Sequence, residues 1–427
     1  MKAVVSPSKL KGIITAPASK SSMQRACAAA LIRHGETVLC NPGTSNDDKA
    51  ALNIITQLGA AYEVQGDKII IRSNGVKALG DTINCHESGL SIRMFTSIAA
   101  LSDKKITVIG SGSLSKRPMD FFDEVLPQLA VQVKTNEGYL PLEITGPLQP
   151  KNILVDGSLS SQYLTGLLFA YSAANANDVT IKVKNLSSRP YVDLTLKVLE
   201  AHDLKVLENK SYEEFYFSGS MVNNRQLTVN YTVEGDWSGG AFLLVGAAIA
   251  GDVIVKGLDL SSTQADKAVL QALMQAGANI SIREEEMEIK ESKLKAFHFN
   301  ATDCPDLFPP LVALASYCDG TTVIEGTNRL THKESNRALS LQQEFGRMGV
   351  QIKLQDDLML IEGNSQVKGG EVSSHNDHRI AMATAVAGLK ADKELVIAGA
   401  DAVDKSYPQF WDHIQSLGAK VSLTDNK

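Results

Sequence analysis

The chain has no apolar stretch approaching the roughly 18 residues that a membrane-spanning helix needs, and Met1 to Gly12 holds no apolar segment of signal-peptide length. A cytoplasmic protein with no membrane partner is therefore expected. Cysteine is sparse. Cys27, Cys40, Cys85, Cys304 and Cys318 are odd in number, scattered, and never spaced as CxxC, which argues against a disulfide frame or a thiolate metal site and suits reduced, mostly buried thiols. Neither GxxxxGK[ST] nor GxGxxG occurs, so a nucleotide-type phosphate loop is not expected, and SGSLSK at Ser111 is too short to serve as one. Nothing has metal-ligand spacing, and no metal is expected. Basic excess is missing too: 42 Lys and Arg against 48 Asp and Glu give a net charge of -6, which argues against general nucleic-acid binding. If the ligand is anionic, the cations must be concentrated locally.

What is present is a globular composition, 44% apolar and 21% charged over 427 residues, long enough for two or three domains. A short β-type run recurs six times: ETVLCN at Glu36, KITVIG at Lys105, DVTIKV at Asp178, GDVIVKG at Gly251, GTTVIEG at Gly320 and KELVIAG at Lys393. The period of about 70 residues points to a repeat architecture. A helix with apolar i, i+3, i+4 spacing is predicted after each run: Asp47 to Leu58, Arg117 to Leu129, Arg189 to Leu199, Gln264 to Met274, Lys333 to Met348 and Lys405 to Leu417. A second set is rich in small apolar residues: Ser19 to Arg33, Glu87 to Ala100, Ser160 to Ala174, Trp237 to Ala250, Asp306 to Tyr317 and Asp377 to Leu389. The expected class is α/β with right-handed βαβ crossovers and three units per domain. The seam is placed near Met221 to Asp236, with a second crossing near Ile13 to Pro17. The domains are then 14–228 and 1–13 plus 229–427.

The unusual residues gather at the predicted helix heads. Lys20, Ser21 and Arg25 head the first; Arg93 lies one turn into the next; Lys116, Arg117 and Pro118 open another. Ser160, Ser161 and Gln162 follow, then Ser188, Arg189, Pro190 and Tyr191, then Asp306, Lys333, Glu334 and Arg337, then Asn376, Asp377, His378 and Arg379, and finally Lys405. Each has a plain structural alternative. Ser160, Ser161, Asn376, Asp377 and Asp306 serve equally as caps, Arg117 as a solvated residue before a first-turn proline, and Glu334 with Arg337 as an exposed charged face. His378 reads equally as an ordinary part-buried histidine. Taken together they read differently, because one structural cause does not put phosphate-type and carboxylate-type binders at the same point of nearly every repeat. Arg forks suit carboxylates, while Lys and hydroxyls at helix starts suit phosphates. The set fits a pair of substrates carrying both groups.

ASKSSMQRA at Ala18, SKRPMD at Ser115, DGSLSSQYLTGLL at Asp156, SSRPYVDLTL at Ser187, HKESNR at His332, NDHRIAMA at Asn376 and DKSYPQFW at Asp404 together resemble the 5-enolpyruvylshikimate-3-phosphate synthase family, in order and over essentially the whole chain. The resemblance implies two similar domains of three βαβαββ units each, an inside-out α/β barrel, with helix N-termini facing an interdomain cleft. It implies transfer of the enolpyruvyl group of phosphoenolpyruvate to the 5-hydroxyl of shikimate 3-phosphate with release of phosphate, by a monomer without cofactor. By motif, Ser160, Ser161 and Ser188 would hold the shikimate phosphate beside Gln162. Ser21, Arg25 and Tyr191 would address the shikimate carboxylate and ring. Lys20, Arg117 and Lys405 would bind the phosphate of phosphoenolpyruvate, and Arg337 and Arg379 its carboxylate. Asp306 would take the hydroxyl proton, with Lys333 at the ring hydroxyls. Glu334 would protonate the methylene carbon, with Lys20 the rival donor, and His378 would lie near the leaving phosphate.

Two segments depart from the family pattern. The usual NAGTxxRP reads ESGLSIRM, so Glu87, Leu90 and Met94 replace an Asn, a Thr and a Pro, while Gly89 and Arg93 remain. The usual RVKES reads THKES, with Thr331 and His332 in place of an Arg and a Val. A sister family acting on UDP-N-acetylglucosamine usually carries a reactive Cys where this chain has Gly112 and Ser113, and lacks the Lys-Ser pair at Lys20.

Overall fold

Each β-type run becomes the second strand of a four-stranded sheet, six times over, in a computed structural model that describes residues 1–204, 207–219, 227–284, 286–331, 333–363 and 366–425. Residues 221–226, inside the predicted seam, and His332 lie outside the described residues. The six strands are His34–Cys40, Lys105–Ile109, Val179–Lys184, Gly251–Lys256, Thr321–Glu325 and Leu395–Ala398. Every sheet has the same order. A parallel strand flanks the run on one side, and on the other an antiparallel pair reaches the far edge. In the first sheet that pair is the hairpin Ala61–Gln65 and Lys68–Asn74.

Two sheets are completed by strands distant in sequence. Thr228–Thr232 runs parallel to His34–Cys40, and Leu10–Thr15 runs parallel to Gly251–Lys256. In the last sheet Lys2–Ser6 lies between Leu395–Ala398 and Lys420–Thr424. By its internal contacts the chain divides into two units, one comprising Met1–Ser19 with Glu234–Lys427 and the other Lys20–Val233.

The helices of Lys20–Val233 are α1 (Lys20–Ile32), α2 (Asn46–Gln57), α3 (Gly89–Ala99), α4 (Asp120–Val125), α5 (Ser161–Ala173) and α6 (Arg189–Ala201). Those of the other unit are α7 (Trp237–Ala250), α8 (Val269–Gln275), α9 (Phe308–Ala315), α10 (Arg337–Arg347), α11 (His378–Gly388) and α12 (Phe410–Ser416). In one unit α1, α3 and α5 pack on one another, and in the other α7, α9 and α11 do so. These are the small-residue helices read from the sequence. Every residue of α3, α7, α9 and α11 is buried, as expected of helices that are apolar on all sides and sit inside a ring of other elements. Close approach requires the small residues. A Cβ on Gly166 of α5 would lie 2.7 Å from the Met94 carbonyl oxygen of α3, so the two helices touch backbone to backbone there. The α/β class and the six repeats are what the sequence predicts.

Of the helices that follow the β-type runs, α4, α8, α10 and α12 start later than the sequence suggests, and three cations are displaced from helix heads. Arg117 is extended (φ -89°, ψ 138°) after a 3₁₀ turn, and α4 begins at Asp120. Proline at 118 accounts for this, since its ring disfavours helical backbone in the residue before it. Lys333 and Glu334 precede α10, whose N-cap is Asn336. Lys405 ends the 3₁₀ segment Ala400–Lys405, well before α12 opens at Phe410. Asp306 likewise sits in a 3₁₀ turn, Pro305–Leu307, ahead of α9. Among the described residues, no helix is long and apolar enough to cross a membrane, and no group of three or more His, Cys, Asp or Glu is placed to hold a metal ion.

Candidate functional site

In the unit Lys20–Val233 the residues group around the heads of α1, α3, α5 and α6. Lys20, the first residue of α1, pairs through Nζ with Asp47 Oδ2 on α2 at 2.9 Å. Arg25, 1% exposed, is held one turn further on. Its Nη1 donates to the Ser21 carbonyl (2.8 Å), its Nε to Thr195 Oγ1 (3.0 Å) and its Nη2 to the Tyr191 carbonyl (3.4 Å). The guanidinium carbon lies 5.8 Å from the centre of the Tyr191 ring. Ser21, Arg25 and Tyr191 are therefore neighbours, joined by Thr195, which lies within SSRPYVDLTL but is given no role there.

At α3, a Cβ on Gly89 would lie 2.6 Å from Arg117 Nη1, so the guanidinium rests against bare backbone. Arg93 Nη1 donates to Gln162 Oε1 at 3.0 Å, and its guanidinium carbon stands 5.3 Å from the Tyr163 ring centre. Ser160 caps α5, its Oγ accepting from Gln162 N at 3.2 Å, and Ser161 is buried in the first turn. Ser188 precedes α6 in the left-handed region (φ 56°, ψ 46°) and its hydroxyl makes no capping bond, so the plain capping role fits Ser160 but not Ser188. Ser187 Oγ donates to the carbonyls of Gly157 (3.1 Å) and Ser158 (3.2 Å), tying together the loops that lead into α5 and α6.

Beside Asp47, Asp48 is sealed inside the capping box of α2. Its Oδ2 accepts from Ser45 N (3.1 Å) and Ser45 Oγ (2.6 Å), and its other oxygen is buried without a hydrogen bond. Burial pushes this carboxyl up to about 7, against the bonds from Ser45 and the charge of Lys20. Stability contributed by the protonated form is then complete below the unfolded value near 3.8 and is lost as pH rises through about 7. Asp48→Asn keeps an acceptor for Ser45 and removes the titration. From pH 5 to pH 8 the unfolding free energy from urea titrations should fall less in the variant than in the wild type, by of order 2 kcal/mol. Parallel pH dependence in the two proteins would disprove the assignment.

In the other unit, three of the predicted cations converge on one carboxylate. Asp306 Oδ1 accepts from Arg337 Nη1 (2.8 Å) and Lys333 Nζ (3.3 Å), and Oδ2 from Arg379 Nη2 (3.0 Å). Arg337, 0% exposed, also reaches Glu334 Oε2 (2.6 Å) through Nη2 and Asp377 Oδ2 (3.0 Å) through Nε. Asp377 in turn caps α11 by accepting from Arg379 N (3.0 Å) and takes a bond from Ser335 Oγ (3.1 Å). It thus fixes both arginines, a role that its place in NDHR does not reveal beyond the cap. His378, buried at the start of α11, has Nδ1 3.9 Å from Asp377 Oδ1. Lys405 is buried at the end of its 3₁₀ segment.

The electrostatics follow from these distances. Burial alone would push the Asp306 carboxyl up, but Arg379, Lys333 and Arg337 outweigh it and hold the group well below the usual carboxylate range. Burial lowers Lys333 below an ordinary lysine, with Asp306 opposing. Arg337 is buried against its charge, yet Asp377, Glu334 and Asp306 raise its proton affinity, so it is a permanent cation. The cluster can bind an anion between fixed cations and can offer a carboxylate to a nearby acidic proton.

Residues 4–414 match the family EPSP synthase (3-phosphoshikimate 1-carboxyvinyltransferase). A 3-phosphoshikimate 1-carboxyvinyltransferase of Clostridium perfringens (strain ATCC 13124) is 37% identical over 422 residues, 98% of each chain. One from Clostridium novyi (strain NT) is 35% identical over 425 residues, 97% of each. Among solved structures, EPSP synthase from Acinetobacter baumannii is similar with a TM-score of 0.82 at 27% identity, covering 99% of this chain and 100% of that one. Since the likeness runs through all six repeats and both residue clusters, this chain belongs to the EPSP synthase family.

Proposed function

We propose that the chain transfers the enolpyruvyl group of phosphoenolpyruvate to the 5-hydroxyl of shikimate 3-phosphate, releasing phosphate, by addition and elimination through a tetrahedral intermediate. It acts as a cytoplasmic monomer without metal or organic cofactor. The observation that carries this reading is the convergence of Lys333, Arg337 and Arg379 on Asp306 with Glu334 alongside. A protein that only binds anions gains nothing from burying carboxylates among its cations.

Ser160, Ser161 and Ser188, with Gln162, hold the shikimate phosphate. Ser21, Arg25 and Tyr191 address its carboxylate and ring. Lys20, Arg117 and Lys405 supply charge for the phosphate of phosphoenolpyruvate, and Arg337 and Arg379 for its carboxylate. In the addition step Glu334 gives a proton to the methylene carbon, cationic character builds at the neighbouring carbon, and the 5-hydroxyl oxygen bonds there while its proton passes to Asp306. In the elimination step a methyl proton returns and the carbon–phosphate oxygen bond breaks, with His378 near the departing group and the cations neutralising it. Arg337 and Arg379 both hold Asp306 in this structure. A substrate carboxylate bound by the same guanidiniums draws their charge away, and Asp306 becomes a stronger base when it is needed.

A phosphate-release assay with both substrates tests the reading, and absence of turnover with either substrate still bound would defeat it. Sedimentation at the mass of one chain checks the monomer. Lys20→Ala should lower kcat/KM for phosphoenolpyruvate by about 10- to 100-fold, the value of a charge-assisted hydrogen bond, with a smaller effect on stability. An unchanged kcat/KM with a lowered unfolding midpoint would reduce Lys20 to the structural partner of Asp47.

A further inference from the structure

Glu344 sits on α10 two turns after Arg337 and is 0% exposed. A spacing of seven brings a helix round to nearly the same face, and both side chains meet the segment that leads into α11. Glu344 Oε1 lies 2.6 Å from His375 Nε2, and Oε2 accepts from Ser373 N (2.9 Å) and Arg347 Nη1 (3.0 Å). A buried carboxylate persists only when it is paired and bonded in this way. What it grips is the end of the strand Gly370–Ser373 and the corner that follows. His375 (φ 51°) and Asn376 (φ 56°) are both left-handed there, a backbone that residues other than glycine hold only where their surroundings impose it. From within, Ser373 Oγ accepts from His375 N (3.1 Å) and Ser374 Oγ from Asn376 N (3.1 Å). From outside, the corner is held by Glu344. The next residue is Asp377, which bonds Arg337 Nε and caps α11 through Arg379 N.

We infer that Glu344 is a positioning residue for the anion-binding cations of this unit. By locking the left-handed corner at His375 and Asn376 it fixes where Asp377 stands, and through Asp377 the guanidiniums of Arg337 and Arg379. The inference rests on the reading of those two arginines as the binders of the phosphoenolpyruvate carboxylate. Being wholly buried, Glu344 itself reaches no substrate. α10 therefore meets the segment before α11 twice, through Arg337 and Asp377 at its head and through Glu344 and His375 two turns on. With the second tie gone, the corner is free to relax toward the extended or right-handed backbone that non-glycine residues prefer, and Asp377 moves with it. Arg379 then loses its register, since its backbone N–H is bonded to Asp377 Oδ1 and its Nη2 to Asp306 Oδ2. The residues assigned to the shikimate phosphate, Ser160, Ser161 and Ser188, belong to the other unit. The effect is accordingly one-sided and falls on phosphoenolpyruvate.

The test is steady-state kinetics with each substrate varied in turn, for the wild type, Glu344→Gln, His375→Ala, each of these combined with Asn376→Gly, and Arg379→Ala. Glu344→Gln keeps the volume and one acceptor oxygen but loses the charge that takes three donors. Its KM for phosphoenolpyruvate should rise about three- to tenfold, the scale set by releasing a strained backbone residue, while KM for shikimate 3-phosphate stays within about twofold. His375→Ala cuts the same tie from a part-exposed side chain and should show the same split. It decides the matter if Glu344→Gln does not fold. Glycine enters the left-handed region without a steric penalty, so adding Asn376→Gly should recover most of the lost KM. A packing role for Glu344 in α10 would not be repaired from residue 376. An unchanged KM for phosphoenolpyruvate in the single variants, an equal rise for both substrates, or a rise that Asn376→Gly does not repair overturns the inference, provided Arg379→Ala raises that KM. An Arg379→Ala variant with unchanged KM for phosphoenolpyruvate instead overturns the reading on which it rests.

Discussion

Asp306→Asn is expected to reduce kcat by about 10²- to 10⁴-fold, the range for loss of a placed general base, while KM for either substrate changes far less. The substitution keeps the shape of the side chain and can still accept one bond from Arg337 or Arg379, so the fold around it should persist. What it loses is proton affinity. Steady-state kinetics with a phosphate-release readout separate the two parameters, since a residue acting only in the transition state lowers kcat and kcat/KM together. A kcat within threefold of wild type would remove Asp306 from the chemistry. Equal losses in binding and turnover would make it an anchor for Arg379 and Lys333 instead.

Arg337→Met should be the most destabilising single change in the same unit. The guanidinium is wholly buried and bonds three carboxylates, those of Asp306, Glu334 and Asp377. Its removal leaves anions uncompensated in the interior, which typically costs about 3–5 kcal/mol. Methionine fills much of the volume, so a loss of this size would come from charge and not from a cavity. Arg337→Lys keeps one positive charge but lacks the fork that reaches all three partners, and it should fall between wild type and Arg337→Met. Denaturant midpoints of the three proteins at neutral pH give the order. A Met variant within 1 kcal/mol of wild type would mean that the carboxylates find other partners or water.

The repeats could be read from the sequence because two signals coincide in every unit. The β-type runs such as KITVIG and GTTVIEG alternate and stop at a turn, and the small-residue helices are apolar on every side, as only a central helix can be. The residues of the candidate site were readable as types at helix heads, but their geometry was not. Proline hid the true start of α4, because a helical pattern through Arg117 looks continuous until the constraint from Pro118 is applied. Asn336 similarly displaced Lys333 and Glu334 out of α10. The second roles of the buried acids had no signal at all. Asp377 reads as an N-cap, and Asp47 and Asp48 as first-turn residues of an ordinary helix. What distinguishes Asp377 and Asp47 is what faces them across the fold, Arg337 and Lys20, from segments 40 and 27 residues away.

The placement of Lys2–Ser6 between Leu395–Ala398 and Lys420–Thr424 bears on the order in which a ribosome could deliver a finished protein. Lys20–Val233 contains all the strands of its own three sheets, so it can close while the rest of the chain is still being made. The opening strand has no such option. It is made long before its partners and waits for them through nearly four hundred residues of synthesis. A nascent chain halted near residue 300 should therefore hold one protease-resistant half and an N-terminus still open to digestion.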